Sequence, residues 1–153
     1  MTQNQFIGFL FFFCLVTKCY GTVFYSKSEA MELAFGKAPV ESLSLFPDPE
    51  QIAQIQKISH VTLDSGMFTF YVGKNQDKIL GYAAIETNTV RTKPETLLIV
   101  LTSDGQLLNI YTLAFHEPPE YMPSEAWYAK LSNKPLTDLD INKGVDGISG
   151  ATL

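Results

Sequence analysis

Apolar positions along the chain follow two different periods, and the change between them divides it. In the first third the spacing is helical. Ser26-Lys27-Ser28-Glu29 has the serine and glutamate of a capping box, and Ala30, Leu33 and Ala34 follow, so a short helix is predicted to about Phe35. Pro47-Asp48-Pro49-Glu50 is a stronger start signal. Asp48 can cap, Pro49 suits the first helical position, and Ile52, Ile55 and Ile58 form a stripe that predicts a second helix ending near His60. From Met67 the texture becomes β-branched and aromatic. Met67 to Val72, Ile79 to Thr87, Thr96 to Thr102 and Leu107 to Phe115 read as strands. Asp104-Gly105 is a hairpin signal between the last two, and Leu97 to Leu101 is a continuous apolar run of the kind expected in a strand covered on both faces. Pro123-Ser124-Glu125 opens a third short helix through Leu131, and the tail from there is loop-rich. Helices before and after an antiparallel meander, without βαβ alternation, predict an α+β domain.

The residues before the first helix read differently. Phe6 to Val16 is an uninterrupted apolar run, too short for the roughly 20 residues that span a bilayer and suited to the apolar region of a signal peptide. Cys19-Tyr20-Gly21 then puts small residues three and one positions before a cleavage after Gly21. The expectation is a signal peptide over 1–21 and a mature domain over 22–153, without Cys14 and Cys19 and so without disulfide or thiolate chemistry. The first residues carry no Lys or Arg, which keeps an uncleaved membrane anchor as the second reading. Lys18 speaks against lipidation at Cys19. Each reading sends the domain out of the cytoplasm, to the periplasm or cell envelope.

Length and charge narrow the rest. The chain has 153 residues, 46% of them hydrophobic, and a formal net charge of −5. That suits one globular domain and gives no field for a phosphate backbone, so nucleic acid is not an expected partner. Two histidines and two cysteines leave little for a metal site, and none is expected. Signatures of P-loop nucleotide binding, dinucleotide binding, zinc proteases and serine hydrolases are absent, as are internal repeats and linkers.

Candidate chemistry concentrates in the tail. Gly144, Gly147 and Gly150 are spaced three apart around Asp146, Ser149 and Thr152. Glycines let successive backbone N–H groups converge on an anion, and the two hydroxyls could bond to a phosphate or carry it covalently; the same residues also make plain turns. Their order adds more. Asp146-Gly147-Ile148-Ser149-Gly150-Ala151-Thr152 resembles the Asp-x-x-Ser/Thr-Gly-Ala-Thr motif of the FMN-binding domain family, which includes subunits of the sodium-pumping NADH:quinone reductase and of the Rnf electron-transfer complex, and all five fixed positions match. The likeness extends over Gly81 to Leu153 through Gly81-Tyr82-Ala83, the Asp104-Gly105 hairpin, and Trp127, Leu131 and Lys134. His116 to Tyr121 stands where the respiratory subunits have a Glu-Thr-Pro-Gly-Leu-Gly loop. Glu117 and Pro119 match it, and Glu120-Tyr121-Met122 replaces the rest.

The resemblance implies an FMN-binding-like domain in which Thr152 is joined to the FMN phosphate by a flavin transferase that uses FAD and Mg²⁺. Asp146, Gly147, Ser149, Gly150 and Ala151 would form the cradling loop, with Glu117 and Tyr121 as further cofactor contacts and Tyr121 as an apolar wall for the ring. It further implies an electron carrier working with an envelope or membrane redox partner, rather than an enzyme with its own substrate; no catalytic residue is assigned. The chain stops at Leu153, where family members continue with another hydroxyl residue and a helix, so a truncated end is expected. The competing reading is an envelope binding or assembly module that keeps the fold without flavin. Beside these, His116 could protonate or bond to the reduced flavin, although a lone His at a strand end is more often structural or exposed, and Glu117 could order the loop rather than act as a base. The helical spacing of Trp127 and Leu131 favours core packing, and Arg91 and Lys93 favour a solvated turn.

Overall fold

Ser26 and Asp48 cap their helices as the spacing predicts. The Ser26 N–H donates to Glu29 Oε2 at 2.7 Å, and the Glu29 N–H returns a bond to Ser26 Oγ at 3.4 Å. Asp48 and Gln51 make the reciprocal pair at 2.9 and 2.8 Å. Each cap satisfies N–H groups that the first helical turn leaves without partners. The computed structural model describes residues 21–63, 66–134, 139 and 145. The predicted leader lies outside them apart from Gly21.

In chain order the elements are β1 (Thr22–Val23), α1 (Lys27–Phe35), β2 (Val40–Leu45), α2 (Pro49–Ser59), β3 (Phe68–Asn75), β4 (Lys78–Val90), β5 (Lys93–Thr102), β6 (Leu107–Phe115), a 3₁₀ turn (Pro119–Tyr121) and α3 (Glu125–Ala129). The strands make one antiparallel sheet in the order β1-β6-β5-β4-β3-β2. This is the expected α+β architecture, a meander flanked by short helices. The Asp104-Gly105 hairpin forms, with Gly105 at φ 80° and the Thr102 N–H bonded to Gln106 O at 2.9 Å.

Two strands were not expected. β2 pairs with β3 from Val40↔Gly73 to Leu45↔Phe68, and β1 adds two residues beside β6. Both are edge strands with exposed side chains, and the sequence Val-Glu-Ser-Leu-Ser-Leu has too little β-branched or aromatic character to stand out. β3, β4 and β5 also run past their predicted ends. α3 stops at Ala129 rather than Leu131, where the chain passes into turns. The isoleucine stripe of α2 produces a helix but no core: none of its residues is buried, and Ile58 is 62% exposed.

The apolar run of β5 is covered on both faces, as expected. Leu98 and Val100 point to the α1 side, where Ala30, Ala83 and Leu113 complete a buried cluster ringed by Leu33, Phe35, Tyr71 and Ile85. Burying one such aliphatic side chain stabilises by about 1.5–3 kcal/mol. Close approach of α1 depends on Gly73, because the Phe35 ring lies where a β-carbon at that position would stand. Leu97, Ile99 and Leu101 point the other way. There they pack with Leu107, Ile110, Tyr128 and Leu131 of β6 and the α3 region, and with Leu139 and Val145.

Candidate functional site

The α3 side of the sheet holds the polar groups. β5 begins with Glu95, a carboxylic acid 7% exposed, directly before the apolar run. Its partner comes from α3: the Tyr128 hydroxyl donates to Glu95 Oε1 at 3.2 Å, and Thr112 Oγ1 of β6 lies 3.2 Å from the same hydroxyl. Ser124 caps α3 by accepting from the Trp127 N–H at 3.2 Å, which fixes the helix that carries Tyr128. Burial pushes the Glu95 carboxyl above its ordinary range, against the pull of the Tyr128 hydrogen bond. Burial, with the nearby Glu95 adding to it, pushes the Tyr128 phenol up as well, so it remains a protonated donor.

Two hollows lie on this side of the sheet, the first beside the network and the second toward the β5–β6 hairpin. A cleft of about 220 Å³ is bounded by Phe24, Tyr25, Tyr111, Thr112, Ser124 and Tyr128, among others. A trough of about 440 Å³ runs over Ile99, Leu101, Leu107, Ile110 and Leu139, with Lys134 on its wall. Of these two, the trough falls in the range of roughly 300–1,000 Å³ usual for cofactor sites, and its apolar walls suit a planar ring system.

At the end of the sheet, the turn between β4 and β5 meets the loop after β6. Glu117 Oε1 accepts from the Thr92 N–H at 2.7 Å, the Thr92 hydroxyl at 2.9 Å and the Lys93 N–H at 2.8 Å. The Thr92 N–H and these further donors hold its carboxyl below the usual range. Glu117 thereby orders the loop, with one oxygen committed to that task. The Arg91 guanidinium lies over the Tyr121 ring at 4.4 Å, so a planar ligand has only the opposite face of Tyr121 to stack on. Arg91 is therefore more than a solvated turn residue. The His116 imidazole lies directly over Gly21.

Of the sequence-predicted site residues, Glu117 and Tyr121 thus belong to one loop that packs on the β4–β5 turn. Asp146, Gly147, Ser149, Gly150, Ala151 and Thr152 lie outside the described residues. Val145, immediately before them, is described: it is 8% exposed and packs in the cluster of Leu107, Tyr128 and Leu131. Trp127 and Leu131 join that cluster, in keeping with their helical spacing. The Glu95–Tyr128–Thr112 network was missed, because its members are far apart in sequence. A charged residue abutting a continuous apolar run was the one signal that could have pointed to it.

Among the described residues, no helix is long and apolar enough to cross a membrane. Comparison of the chain with protein-family models, curated proteins and solved structures gives no match.

Proposed function

We propose that this chain is an extracytoplasmic electron-transfer domain that binds FMN and carries it covalently through a phosphoester on Thr152. The observation that carries this reading is the order of residues in Asp146-Gly147-Ile148-Ser149-Gly150-Ala151-Thr152, with its five matched fixed positions. Two features of the fold support it. Val145 is anchored against Tyr128 and Leu131, so the motif starts from the α3 side of the sheet. On that side lies the apolar trough of about 440 Å³, the hollow whose size and lining suit an isoalloxazine ring.

FMN supplies the chemistry of accepting one or two electrons, which lets it join a two-electron donor to a one-electron partner. The protein's share is to bind and shield. Asp146, Gly147, Ser149, Gly150 and Ala151 cradle the phosphate next to Thr152, and Ile99, Leu101, Leu107 and Ile110 exclude water from the ring. Glu117 braces the loop that carries Tyr121 at the β4–β5 turn, the opposite end of β5 from the trough, so the ring seated in the trough is walled without Tyr121. Covalent attachment suits an envelope or periplasmic location, where a dissociated cofactor is lost to the medium. The partners are a flavin transferase using FAD and Mg²⁺ and a redox protein of the envelope or membrane.

Co-expression with a flavin transferase, followed by intact mass and visible absorbance of the denatured protein, tests the reading. The expected result is a mass gain of FMN less water, lost in Thr152→Ala. An unmodified wild-type mass, or a modified Thr152→Ala, overturns it, and the first of these outcomes would favour an envelope module without flavin.

A further inference from the structure

We infer that the cleft between β6, α3 and the Phe24-Tyr25 segment binds a small organic cation bearing an alkylated ammonium group. The lining carries the argument. Phe24, Tyr25 and Tyr128 border one hollow of about 220 Å³, with Met122 and the carboxylate residue Glu125 beside them; Tyr111 also borders it, from β6, while its side chain packs on the α1 cluster. Among the described residues, no Lys, Arg or His lines the hollow. Behind Tyr128 stands a second carboxyl, Glu95, bonded to the phenol at 3.2 Å.

Aromatic faces attract cations through their quadrupole, and a group of them beside carboxylates favours a cation whose alkyl groups can also lie against the rings. An anion would meet Glu125 directly. A neutral apolar ligand would gain nothing from either acid.

Exposure and size point the same way. Phe24 and Tyr25 are 43% and 39% exposed, although both are tied in place by backbone bonds to Leu113 O at 2.8 and 3.2 Å. They are held at the rim without being covered. A cavity of about 150 Å³ accepts one benzene-sized group, so this cleft takes a trimethylammonium head but not a three-ring cofactor. The site is therefore separate from the flavin trough, and no part of the inference depends on flavin.

Trp127, the chain's single tryptophan, stands edge-on to Tyr128 at 5.5 Å between ring centres and serves as the reporter. The protein without flavin is titrated with choline chloride to about 100 mM against sodium chloride at matched ionic strength, with 3,3-dimethylbutan-1-ol as the uncharged isostere. The expected result is a saturable change in Trp127 fluorescence with choline and at least tenfold weaker binding of the alcohol. Tyr25→Ala is expected to weaken choline binding about tenfold, Tyr25→Phe to preserve it, and Glu125→Gln to weaken it several-fold. Equal binding of choline and the alcohol, or no specific response to choline in either free or lipid form, overturns the proposal.

Vesicles separate two sources of the same head group. A response to free choline identifies a soluble solute as sufficient, and a response to phosphatidylcholine but not phosphatidylglycerol vesicles identifies a lipid head group; either supports the site. Equal response to both vesicles without a response to choline overturns it.

Discussion

The two faces of the sheet are built from alternate residues of the same strands and have opposite characters. Under α1, Ala30, Ala83, Leu98, Val100 and Leu113 close a dry aliphatic cluster with no polar side chain in it. Under α3 lie Glu95, Tyr128 and Thr112, hydrogen-bonded to one another through the phenol, and two hollows remain open on that side of the sheet. A filled aliphatic layer contributes stability in proportion to the area it buries, whereas a buried carboxyl held by a phenol contributes little or opposes folding. One face thus supports the fold so that the other can retain polar groups and space for ligands.

The largest effect that would break this contrast is expected from Leu98→Ala. Leu98 is fully buried, and its truncation is expected to destabilise by about 3 kcal/mol in urea denaturation, leaving ligand binding on the opposite face intact. A loss below about 1 kcal/mol would mean that the α1 face is not the main source of stability. Tyr128→Phe on the other face is expected to remove about 1–2 kcal/mol, since it leaves the Glu95 carboxyl buried without its donor. Stabilisation in that variant would show that the network opposes folding more than it assists.

Smaller, but sharper in sign, is the pH dependence of stability. The folded state raises the Glu95 pKa, so it binds more protons there than the unfolded chain does. This contribution is full below about pH 4.5 and is lost as pH rises through the raised value. Glu117 acts in reverse. Its folded pKa is lowered, so its contribution is present above about pH 4.5 and is lost as pH falls through the lowered value, with Glu29 acting in the same direction. Urea midpoints measured across this range are expected to lose their decline on the alkaline side in Glu95→Gln and part of their decline on the acid side in Glu117→Gln. The Leu98→Ala profile should run parallel to wild type; a change in its shape would mean that the two faces are coupled.

The meander was legible in the sequence because its strands carry their own signals. Tyr71, Val72, Ile85 and Leu97 to Leu101 have β-forming side chains, and Asp104-Gly105 makes its turn locally. The capped helix starts were legible for the same reason, since Ser26 with Glu29, and Asp48 with its neighbours, act within four residues. β2 was not, because Glu41, Ser42 and Ser44 adopt a strand only through pairing with β3. The polar network is less local still. Glu95 and Tyr128 are ordinary surface residue types until α3 folds back over β5. Of the candidate site, the motif ending at Thr152 was readable from residue order alone, while the hold of Thr92 and Lys93 on Glu117 and the stacking of Arg91 on Tyr121 required the fold.

The pairing of β1 with β6 also sets an order of events in time. β3 to β6 join neighbours through short turns and can zip up one hairpin after another, which favours rapid formation. Thr22 instead pairs with Phe115, 93 positions further along the chain. On a ribosome, the first described residues to emerge must wait for β6, the last of the described strands, before they find their place. Docking of Phe24 and Tyr25 on Leu113 is therefore a late step, and the cleft that they border is completed only after β6 and α3 have emerged.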